Sequence, residues 1–351
     1  MDINKLEDKL QELGQPAFRL KQVQKAVFQD GVSVWSEITT LSKDLREKLE
    51  KELPILSFTP EKVLESQAGD SVKALLGLVD GNCIETVLIQ PKPDMWSVCV
   101  SSQVGCPLNC RFCATGQGGF TRNLTSEEII DQVLFWKQWL KNKYRSIENC
   151  KLKIENCDVS NVVYMGMGEP FLNWQSVKES LETLIDPDLF GFGSRSISVS
   201  TAGVAEGIEN FAQYFPQMNL ALSLHFATDE KRDQFMPVNK KYNLESVKNA
   251  LKKYFSLTNR KVFIEYILLD GINDAEADAR SLSQFLRSIG KLQLLHVNLI
   301  RYNAAGGGLL PSPRERAQKF KDYLLRDGIP VTIRKSLGDE VQGACGQLAG
   351  K

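Results

Sequence analysis

The sequence predicts an α/β protein built around a partial (β/α)6 barrel. From Met95 onward, short apolar runs typical of buried strands alternate with amphipathic segments that have helical spacing. Alternation of this kind is typical of a parallel sheet with right-handed crossovers, and six strand-helix units fit a partial barrel. Residues 1–70 show only helical spacing, and residues 71–94 contain two strand-like runs. We therefore expect a small N-terminal helical domain, a β-hairpin with a linker, and then the barrel at 95–351.

The N-terminal domain is expected to be an accessory domain of three helices, with Gly14, Gly31 and Pro54 as breaks. The helical segments are Lys5–Leu13, Leu20–Gln29 and Leu41–Leu53. In the next region, Asp80-Gly81-Asn82 is typical of a tight turn between two strands. The predicted hairpin strands are Val72–Val79 and Cys83–Gln90, and the expected linker is Pro91-Lys92-Pro93-Asp94.

The barrel is predicted to contain six strands and a last short one. These strands are Ser97–Ser102, Asn161–Met165, Ser196–Ser200, Leu220–Leu224, Val262–Leu268, Leu292–Ile300 and Val331–Arg334. The predicted helices include Ser126–Leu140, Ser176–Leu184, Leu244–Phe255, Ala275–Ser288 and Pro313–Arg326. Active sites of parallel α/β folds lie at the carboxyl ends of the strands, so the residues that follow the strands are the first candidates for a site.

The composition is that of an ordinary globular protein, with 42% hydrophobic and 25% charged residues. No apolar run reaches the roughly 18 residues of a membrane-spanning helix, and the first residues lack the pattern of a signal peptide. We therefore expect a cytoplasmic protein without a membrane partner. Because basic and acidic residues are equal in number, 43 each, nucleic-acid binding would depend on local patches. Two segments are candidates, Lys231–Lys261 with a net charge of +7 and Pro311–Lys335 with +4.

Three cysteines form the most informative motif of the chain. Cys106, Cys110 and Cys113 have C-x3-C-x2-C spacing and are followed by a glycine-containing segment. Iron–sulfur clusters are held by cysteine thiolates, and three local thiolates would leave one iron of a 4Fe–4S cluster open. An open coordination position is typical of catalytic rather than structural metal sites. The glycines would let the backbone bend closely around such a cluster.

Two other uses of these cysteines are less favoured. A structural zinc site usually needs a second pair of Cys or His ligands, whereas the chain has only two histidines, His225 and His296, and neither belongs to a spaced pair. A disulfide framework is typical of short secreted chains, not of 351 residues with eight cysteines.

Several residues that could take part in binding or catalysis follow the predicted strands. Glu169 and its neighbouring glycines follow the second strand, Ser200 ends the third, His225 follows the fourth and Asn303 the sixth. Each has an ordinary alternative, since the glycines could only turn the chain and a lone histidine is more often a satisfied strand-end residue. Their shared placement favours convergence above the cysteine motif.

The ordered motifs resemble the RlmN/Cfr family of radical S-adenosylmethionine (SAM) RNA adenine methyltransferases. The likeness extends from Phe18 to Gly350. The motifs that carry it are Cys99-Val-Ser-Ser-Gln-Val-Gly105-Cys106, Met165-Gly-Met-Gly-Glu-Pro170, Ser200-Thr-Ala-Gly203, Ser223-Leu-His225, Asn239-Lys-Lys-Tyr-Asn243 and Ala344-Cys-Gly-Gln-Leu348. Two segments depart from the family pattern, Phe226-Ala227-Thr228 and the turn Tyr302–Gly308.

The resemblance implies specific roles. Cys106, Cys110 and Cys113 would hold a 4Fe–4S cluster whose open iron binds SAM, and the fold would be a radical SAM barrel. The implied cofactor-binding residues are Gly168, Glu169, Ser200, Ser223, Leu224, His225 and Asn303. Cys345 would carry a methyl group, Cys99 would release the product by forming a disulfide, and Glu85 would accept a proton.

The resemblance also implies substrates and partners. The chain would methylate carbon 2 of adenine in 23S rRNA and at position 37 of tRNA, using one SAM as methyl donor and a second as radical source. It would act as a monomer with a low-potential electron donor such as flavodoxin or ferredoxin. Two alternatives stay open, methylation at carbon 8 of the rRNA adenine and a non-catalytic iron–sulfur RNA-binding protein. Cys83, Cys150 and Cys157 have no assigned role, and the last two are expected to be thiols of a surface loop.

Overall fold

The centre of the protein is a ten-stranded mixed sheet. The computed structural model describes residues 1–145, 158–305 and 308–350. The sheet has the strand order β1-β2-β3-β4-β7-β8-β9-β10-β11-β12. Its strands are β1 Phe58–Glu65, β2 Ser71–Leu78, β3 Cys83–Lys92, β4 Met95–Cys99, β7 Val159–Tyr164, β8 Ile197–Thr201, β9 Asn219–Ser223, β10 Val262–Leu268, β11 Leu295–Arg301 and β12 Val331–Ile333. A second sheet pairs β5 Gln103–Gly105 with β6 Phe120–Asn123.

The seven strands from β4 to β12 in this order are parallel, which confirms the predicted partial barrel. Strand β10 has the predicted bounds, and the others differ from prediction by a few residues at their ends. Leu292–Leu294, predicted to begin the sixth strand, forms a 3-10 turn before β11. The carboxyl ends of these strands meet at one edge of the sheet, as the topology requires.

Strands β1, β2 and β3 extend the parallel sheet through antiparallel pairing with β4. The predicted hairpin is confirmed as β2 and β3. Strand β1, however, lies in a region for which only helices were predicted. Most of its side chains are exposed, so its sequence lacks the alternation of apolar and polar residues that indicates a strand. The predicted linker Pro91–Asp94 is a tight turn in which Lys92 pairs with Met95 and Asp94 has a φ of 59°. The hairpin is therefore continuous with the barrel sheet.

The three N-terminal helices are confirmed with small changes in their bounds. They are α1 Ile3–Glu12, α2 Phe18–Gln24 and α3 Lys43–Glu52, and α2 continues as a π-helical turn over Lys25–Gln29. Side-chain caps begin α1 and α3, because Asp2 accepts from the Lys5 N–H and Ser42 from the Leu45 N–H. The Gln138 amide donates to the Val32 carbonyl at 2.8 Å, which ties this helical region to the barrel.

Helices pack around the parallel strands. They are α4 Ala114–Gln117, α5 Ser126–Arg145, α6 Trp174–Ile185, α7 Ala205–Tyr214, α8 Asp229–Phe235, α9 Leu244–Leu257, α10 Glu276–Ile289 and α11 Arg314–Arg326. The sequence did not indicate α7 or α8. Gly207 lies within α7 and lowers its helix propensity, but a Cβ atom there would lie 2.3 Å from the Phe171 Cβ, so helix packing requires the glycine. None of the helices in the described ranges is long and apolar enough to cross a membrane.

Candidate active site

A cavity opens at the carboxyl ends of the parallel strands. The cavity, together with its open mouth, has a volume of about 1000 Å³. Five of the predicted cofactor-binding residues line it, namely Gly168, Glu169, Ser200, Ser223 and His225. The three cysteines of the C-x3-C-x2-C motif and Cys345 line the same cavity. The fold thus brings together residues that lie more than 200 positions apart in the sequence.

The cysteine motif forms a tight loop between β5 and α4. The Cys106 N–H donates to the Gly119 carbonyl at 2.7 Å, and the Cys113 N–H donates to the Cys110 carbonyl at 3.2 Å. Gly116 packs directly against this loop, because a Cβ atom there would lie 2.8 Å from the Cys110 nitrogen. The glycine that follows the motif therefore has a steric function, which is to let α4 approach the cysteine-bearing backbone.

The three thiols fit a cluster better than a single metal ion. Burial raises the pKa of Cys106 to about 12 and that of Cys110 well above its ordinary range, and the charges of the neighbouring cysteines act in the same direction. Such thiols ionise only when a cationic group compensates them. Within residues 1–145, 158–305 and 308–350, no three His, Cys, Asp or Glu side chains converge on one point that could hold a single ion. A cluster avoids this need because each thiolate binds a different iron.

Glu169 connects the ends of two strands. One carboxylate oxygen accepts from the Ala202 N–H at 2.7 Å, after β8, and the other accepts from the Phe171 N–H at 3.1 Å. The Glu169 N–H donates to the Gln103 side chain at 2.8 Å. Burial raises the pKa of Glu169 to about 7, although the amide donors oppose this shift. Two backbone N–H groups and the Gln103 side chain thus fix the position of Glu169.

Ser200, Ser223 and His225 form the next part of the cavity wall. The hydroxyl oxygens of Ser200 and Ser223 lie 3.1 Å apart, at the ends of the adjacent strands β8 and β9. His225 has a φ of 58°, which is strained for a non-glycine residue and occurs mainly at functional sites. Its Nδ1 accepts from the Ile267 N–H at 3.2 Å, and burial, together with the charge of Arg232, lowers its pKa to about 3. The imidazole is therefore neutral and carries its proton on Nε2.

Two predicted cofactor residues do not line the cavity. Leu224 is fully buried, and its N–H donates to the Glu265 carbonyl at 3.1 Å. Asn303 is 7% exposed and donates from its amide to the Cys345 carbonyl at 3.4 Å. The Asn303 side chain thus supports the C-terminal segment. Of the divergent turn after β11, Gly306 and Gly307 lie outside the described residues, as do Cys150 and Cys157.

Cys99 and Cys345 come from opposite ends of the barrel sequence. Cys99 ends β4 and pairs with Val163 in β7, and both cysteines are free thiols. Burial raises the pKa of Cys99 well above its ordinary value, and the charge of Cys345 acts in the same direction. Desolvation also raises the pKa of Cys345, although that residue lies at the accessible mouth of the cavity.

Glu85 is buried, not an ordinary exposed strand residue. It is 1% exposed, and its carboxylate accepts from Lys73 Nζ at 2.7 Å. The backbone N–H groups of Ala349 and Gly350 donate to its other oxygen at 2.6 and 3.1 Å. Glu85 does not line the cavity itself, because the C-terminal segment lies over it.

The C-terminal segment 343–350, which we call the tail, is docked against the cysteine loop. The Ala114 N–H donates to the Gly346 carbonyl at 2.8 Å, and the Thr115 hydroxyl donates to the Leu348 carbonyl at 2.6 Å. These contacts place Cys345 at the cavity although no sequence pattern near the tail indicates where it lies.

Sequence reasoning missed two charged residues of the cavity wall, Glu265 and Arg334. Glu265 is an acidic residue inside an apolar strand, and this was a readable signal. Several residues of the two predicted basic segments are paired within the protein. Lys231 pairs with Asp278, Lys253 with Glu209, and Arg316 with Asp270 and Asp274. Arg232 is fully buried and donates to the Asn239 side chain at 2.9 Å.

Two sequence profiles match the chain. One, described as the radical SAM superfamily, matches residues 100–282 and includes the cysteine motif. The other, described as the N-terminal domain of a ribosomal RNA large subunit methyltransferase, matches residues 1–55. The first match covers the barrel as far as α10, and the second covers the N-terminal helices.

Similar proteins cover almost the full chain. A relative from Chlorobium phaeobacteroides is 40% identical over 352 aligned residues, with 99% of this chain and 93% of the relative covered. Another from Thermotoga maritima is 39% identical, with 99% and 96% covered. Both carry the name "probable dual-specificity RNA methyltransferase RlmN". The crystal structure of a radical SAM methyltransferase from Sphaerobacter thermophilus matches with a TM-score of 0.90 and 36% identity, covering 100% of this chain and 98% of that one.

Proposed function

Because the chain belongs to the RlmN family of radical SAM RNA methyltransferases, we propose that it methylates carbon 2 of adenine in 23S rRNA and at position 37 of tRNA. The observation that carries this proposal is the meeting of the three loop cysteines, Cys345 and the strand-end residues at one cavity. The resemblance of the motifs and the names of the relatives support the RNA substrates.

The position of the methylated carbon explains why an ordinary methyltransferase site would not suffice. Carbon 2 of adenine lies between two ring nitrogens and is electron-poor, so it does not attack the electrophilic methyl group of SAM. A radical route needs a one-electron source close to a carrier of the methyl group. The presence of Cys106, Cys110, Cys113 and Cys345 in one cavity wall supports such a route.

We assign Cys106, Cys110 and Cys113 as ligands of a 4Fe–4S cluster and the cavity wall as the SAM site. When bound, the cluster and SAM would supply low-potential electrons and a carbon-centred radical. Glu169, Ser200 and Ser223 offer hydrogen-bonding groups at the strand ends, and neutral His225 offers the Nε2–H as a donor. Gly168 lines the same wall, while Leu224 and Asn303 would contribute through the backbone and the tail.

The two mechanistic cysteines act in sequence. The Cys345 sulfur first accepts a methyl group, with formation of a sulfur–carbon bond and loss of the thiol proton. After hydrogen abstraction from that methyl group, its carbon joins carbon 2 of the adenine, and the RNA becomes covalently bound to Cys345. The adduct must then lose one electron, which the cluster would accept when bound, and the carbon 2 proton, which Glu85 takes. Finally the Cys99 thiolate attacks the Cys345 sulfur and a disulfide forms. The carbon–sulfur bond breaks with its electron pair on the methylene carbon, which takes a proton from solvent, and methylated RNA is released.

The remaining proposals concern RNA binding and the supply of electrons. Residues 1–70, which contain the three N-terminal helices and β1, are the proposed accessory RNA-binding domain. Residues 71–94 carry Glu85, and residues 95–351 are the proposed catalytic barrel with its tail. An adenine in a loop can be turned out of its stack to enter the cavity. A flavodoxin or ferredoxin would supply electrons to the monomer and would also reduce the disulfide after release.

Mass spectrometry of RNA treated with enzyme, SAM and a low-potential reductant tests the proposal. The expected product is 2-methyladenine in 23S rRNA and in tRNA. A product at carbon 8 would show the related methyltransferase activity, and an unchanged RNA mass would overturn both. The Cys345→Ala variant should bind iron and RNA normally but transfer no methyl group, whereas full activity in it would refute the carrier role.

A further inference from the structure

Arg334 is the single lysine or arginine among the described residues that line the cavity. It follows β12, which is an edge strand of the sheet, and the partial barrel does not close beside it. The Arg334 N–H donates to the Leu299 carbonyl at 2.9 Å, which extends the pairing of β12 with β11 by one residue. This register places Arg334 beside Ile300, which also lines the cavity. Both side chains therefore face the interior of the barrel, at its open edge.

A buried carboxylate holds the Arg334 side chain. One carboxylate oxygen of Glu265, in β10, lies 3.4 Å from the guanidinium Nη1, and the other accepts from the Asn298 amide at 2.8 Å. The first distance is longer than the about 2.7–2.9 Å of a strong charge-assisted hydrogen bond, and a guanidinium has five N–H donors. Glu265 is 3% exposed, whereas the Arg334 side chain is 42% exposed. The carboxylate thus orients a cation whose remaining donors are accessible at the cavity mouth.

Arg334 lies away from the wall that we assign to SAM. Glu169, Ser200 and Ser223 are at the carboxyl ends of β7, β8 and β9, whereas Arg334 follows β12. Since adjacent strands are about 4.8 Å apart, β9 and β12 are separated by about 14 Å across the sheet. The guanidinium reaches back as far as Glu265 in β10. Its position therefore favours a ligand other than the carboxylate of SAM.

An RNA strand brings such a ligand to the cavity mouth. A base that is turned out of its stack carries its sugar and the adjoining phosphates with it, so that the base enters a pocket while the charged backbone stays at the entrance. The planar fork of an arginine matches the oxygens of a phosphate, and an arginine is less strongly hydrated than a lysine. The exposed guanidinium at the open edge is thus suited to this backbone.

We propose that Arg334 binds an RNA phosphate next to the target adenosine and so guides the base into the cavity. This inference rests on the proposed function, because it takes RNA as the substrate. Arg334 contacts the substrate in this role, whereas Glu265 and Asn298 are positioning residues that fix the guanidinium.

The test is the salt dependence of RNA binding by the cluster-loaded, full-length enzyme without SAM. The probe is a fluorescein-labelled anticodon stem–loop RNA with adenine at position 37, and fluorescence anisotropy gives its Kd between 50 and 200 mM KCl. Arg334→Gln removes the cation, and Arg334→Lys retains it. The Glu265→Gln/Arg334→Gln double variant also avoids a buried carboxylate without its partner.

Arg301→Gln is the matched control. Arg301 is exposed at the end of β11, and it follows Ile300, so its side chain leaves the strand on the face opposite to the cavity. The control thus removes the same charge two strand positions from Arg334 without changing the cavity wall.

We expect Arg334→Gln to weaken RNA binding at 50 mM KCl by about threefold to tenfold. One phosphate contact contributes about 0.7 to the slope of log K against log salt for a single strand, so the loss should be about 2.5-fold smaller at 200 mM KCl. The double variant should behave like Arg334→Gln. Arg334→Lys should keep the slope of the wild type, and Arg301→Gln should match the wild type in both Kd and slope.

An unchanged slope in Arg334→Gln, or an equal change in Arg301→Gln, would overturn the inference. Equilibrium dialysis of the same proteins with radiolabelled SAM examines the other anion. Weaker SAM binding with unchanged RNA binding would assign Arg334 to the SAM carboxylate and would also overturn the inference. A wild type that fails to bind the RNA would contradict the proposed function, and the inference with it. Absence of methyl transfer alone would contradict only the proposed function, since RNA binding is measured separately.

Discussion

The carboxylate of Glu85 accepts hydrogen bonds from the backbone N–H groups of Ala349 and Gly350, at 2.6 and 3.1 Å. This contact joins the hairpin to the tail that carries Cys345. It also occupies the oxygen that the proposed proton transfer requires. Entry of RNA should therefore displace Ala349 and Gly350 from Glu85 before that residue can act on the adenine.

Removing one tail donor should loosen the tail. Ala349→Pro eliminates the N–H that donates at 2.6 Å, whereas Ala349→Gly keeps it and is the matched control. A hydrogen bond to a charged group contributes about 1.5–3 kcal/mol. We expect amide hydrogen exchange in residues 344–348 to rise at least about tenfold in Ala349→Pro. Equal exchange in the proline and glycine variants would contradict the anchoring role of Glu85.

The buried Lys73–Glu85 ion pair should be sensitive to loss of one partner. The Lys73 and Glu85 side chains are 10% and 2% exposed. Lys73→Met leaves the carboxylate buried without its cation and should lower the free energy of unfolding by about 3–5 kcal/mol. The Lys73→Met/Glu85→Gln double variant should recover part of this loss, because no buried charge remains unpaired. Urea denaturation measures the free energy of unfolding of the single and double variants. As a control, Lys62→Met on the exposed face of β1 should change this free energy by less than about 0.5 kcal/mol.

The conformation of the cysteine loop should depend on the absence of a side chain at Gly116. Gly116→Ala would place a Cβ atom 2.8 Å from the Cys110 nitrogen, so the loop must shift. The nearest atom to a Cβ at Gly118 would lie at 3.5 Å, an ordinary contact, which makes Gly118→Ala the matched control. After anaerobic reconstitution, Gly116→Ala should retain less than about half of the iron and sulfide of the control. Equal cluster content would show that the loop adapts without cost.

His225 should make the protein less stable as the pH falls. Burial lowers its pKa to about 3 in the folded state, whereas an unfolded histidine titrates near 6.5. Below about pH 6.5 the unfolded chain binds the additional proton, so the free energy of unfolding should decrease as the pH falls toward 3. Asn tolerates positive φ and can accept a hydrogen bond, so His225→Asn is a suitable variant. Urea denaturation of the metal-free protein between pH 4 and 7 should show a weaker pH dependence in His225→Asn, and parallel curves would contradict the assignment.

Local patterns were sufficient for much of the fold. Val262–Leu268 is a strand with the predicted bounds because a run of apolar and aromatic residues suits a strand buried on both faces. The pattern failed at α7, where Gly207 lowers helix propensity but is required by contact with Phe171. It failed also at β1, whose exposed residues carry no regular apolar period.

The sequence by itself determined the chemistry available, because the spacing of Cys106, Cys110 and Cys113 and the residues after each strand are local properties of the chain. The tertiary structure decided which of these groups meet. Burial of Glu85 beneath the tail and the position of Cys345 at the same cavity as Cys106, Cys110 and Cys113 depend on contacts between distant segments. Such contacts arise from how the whole sheet closes, and no local pattern encodes them.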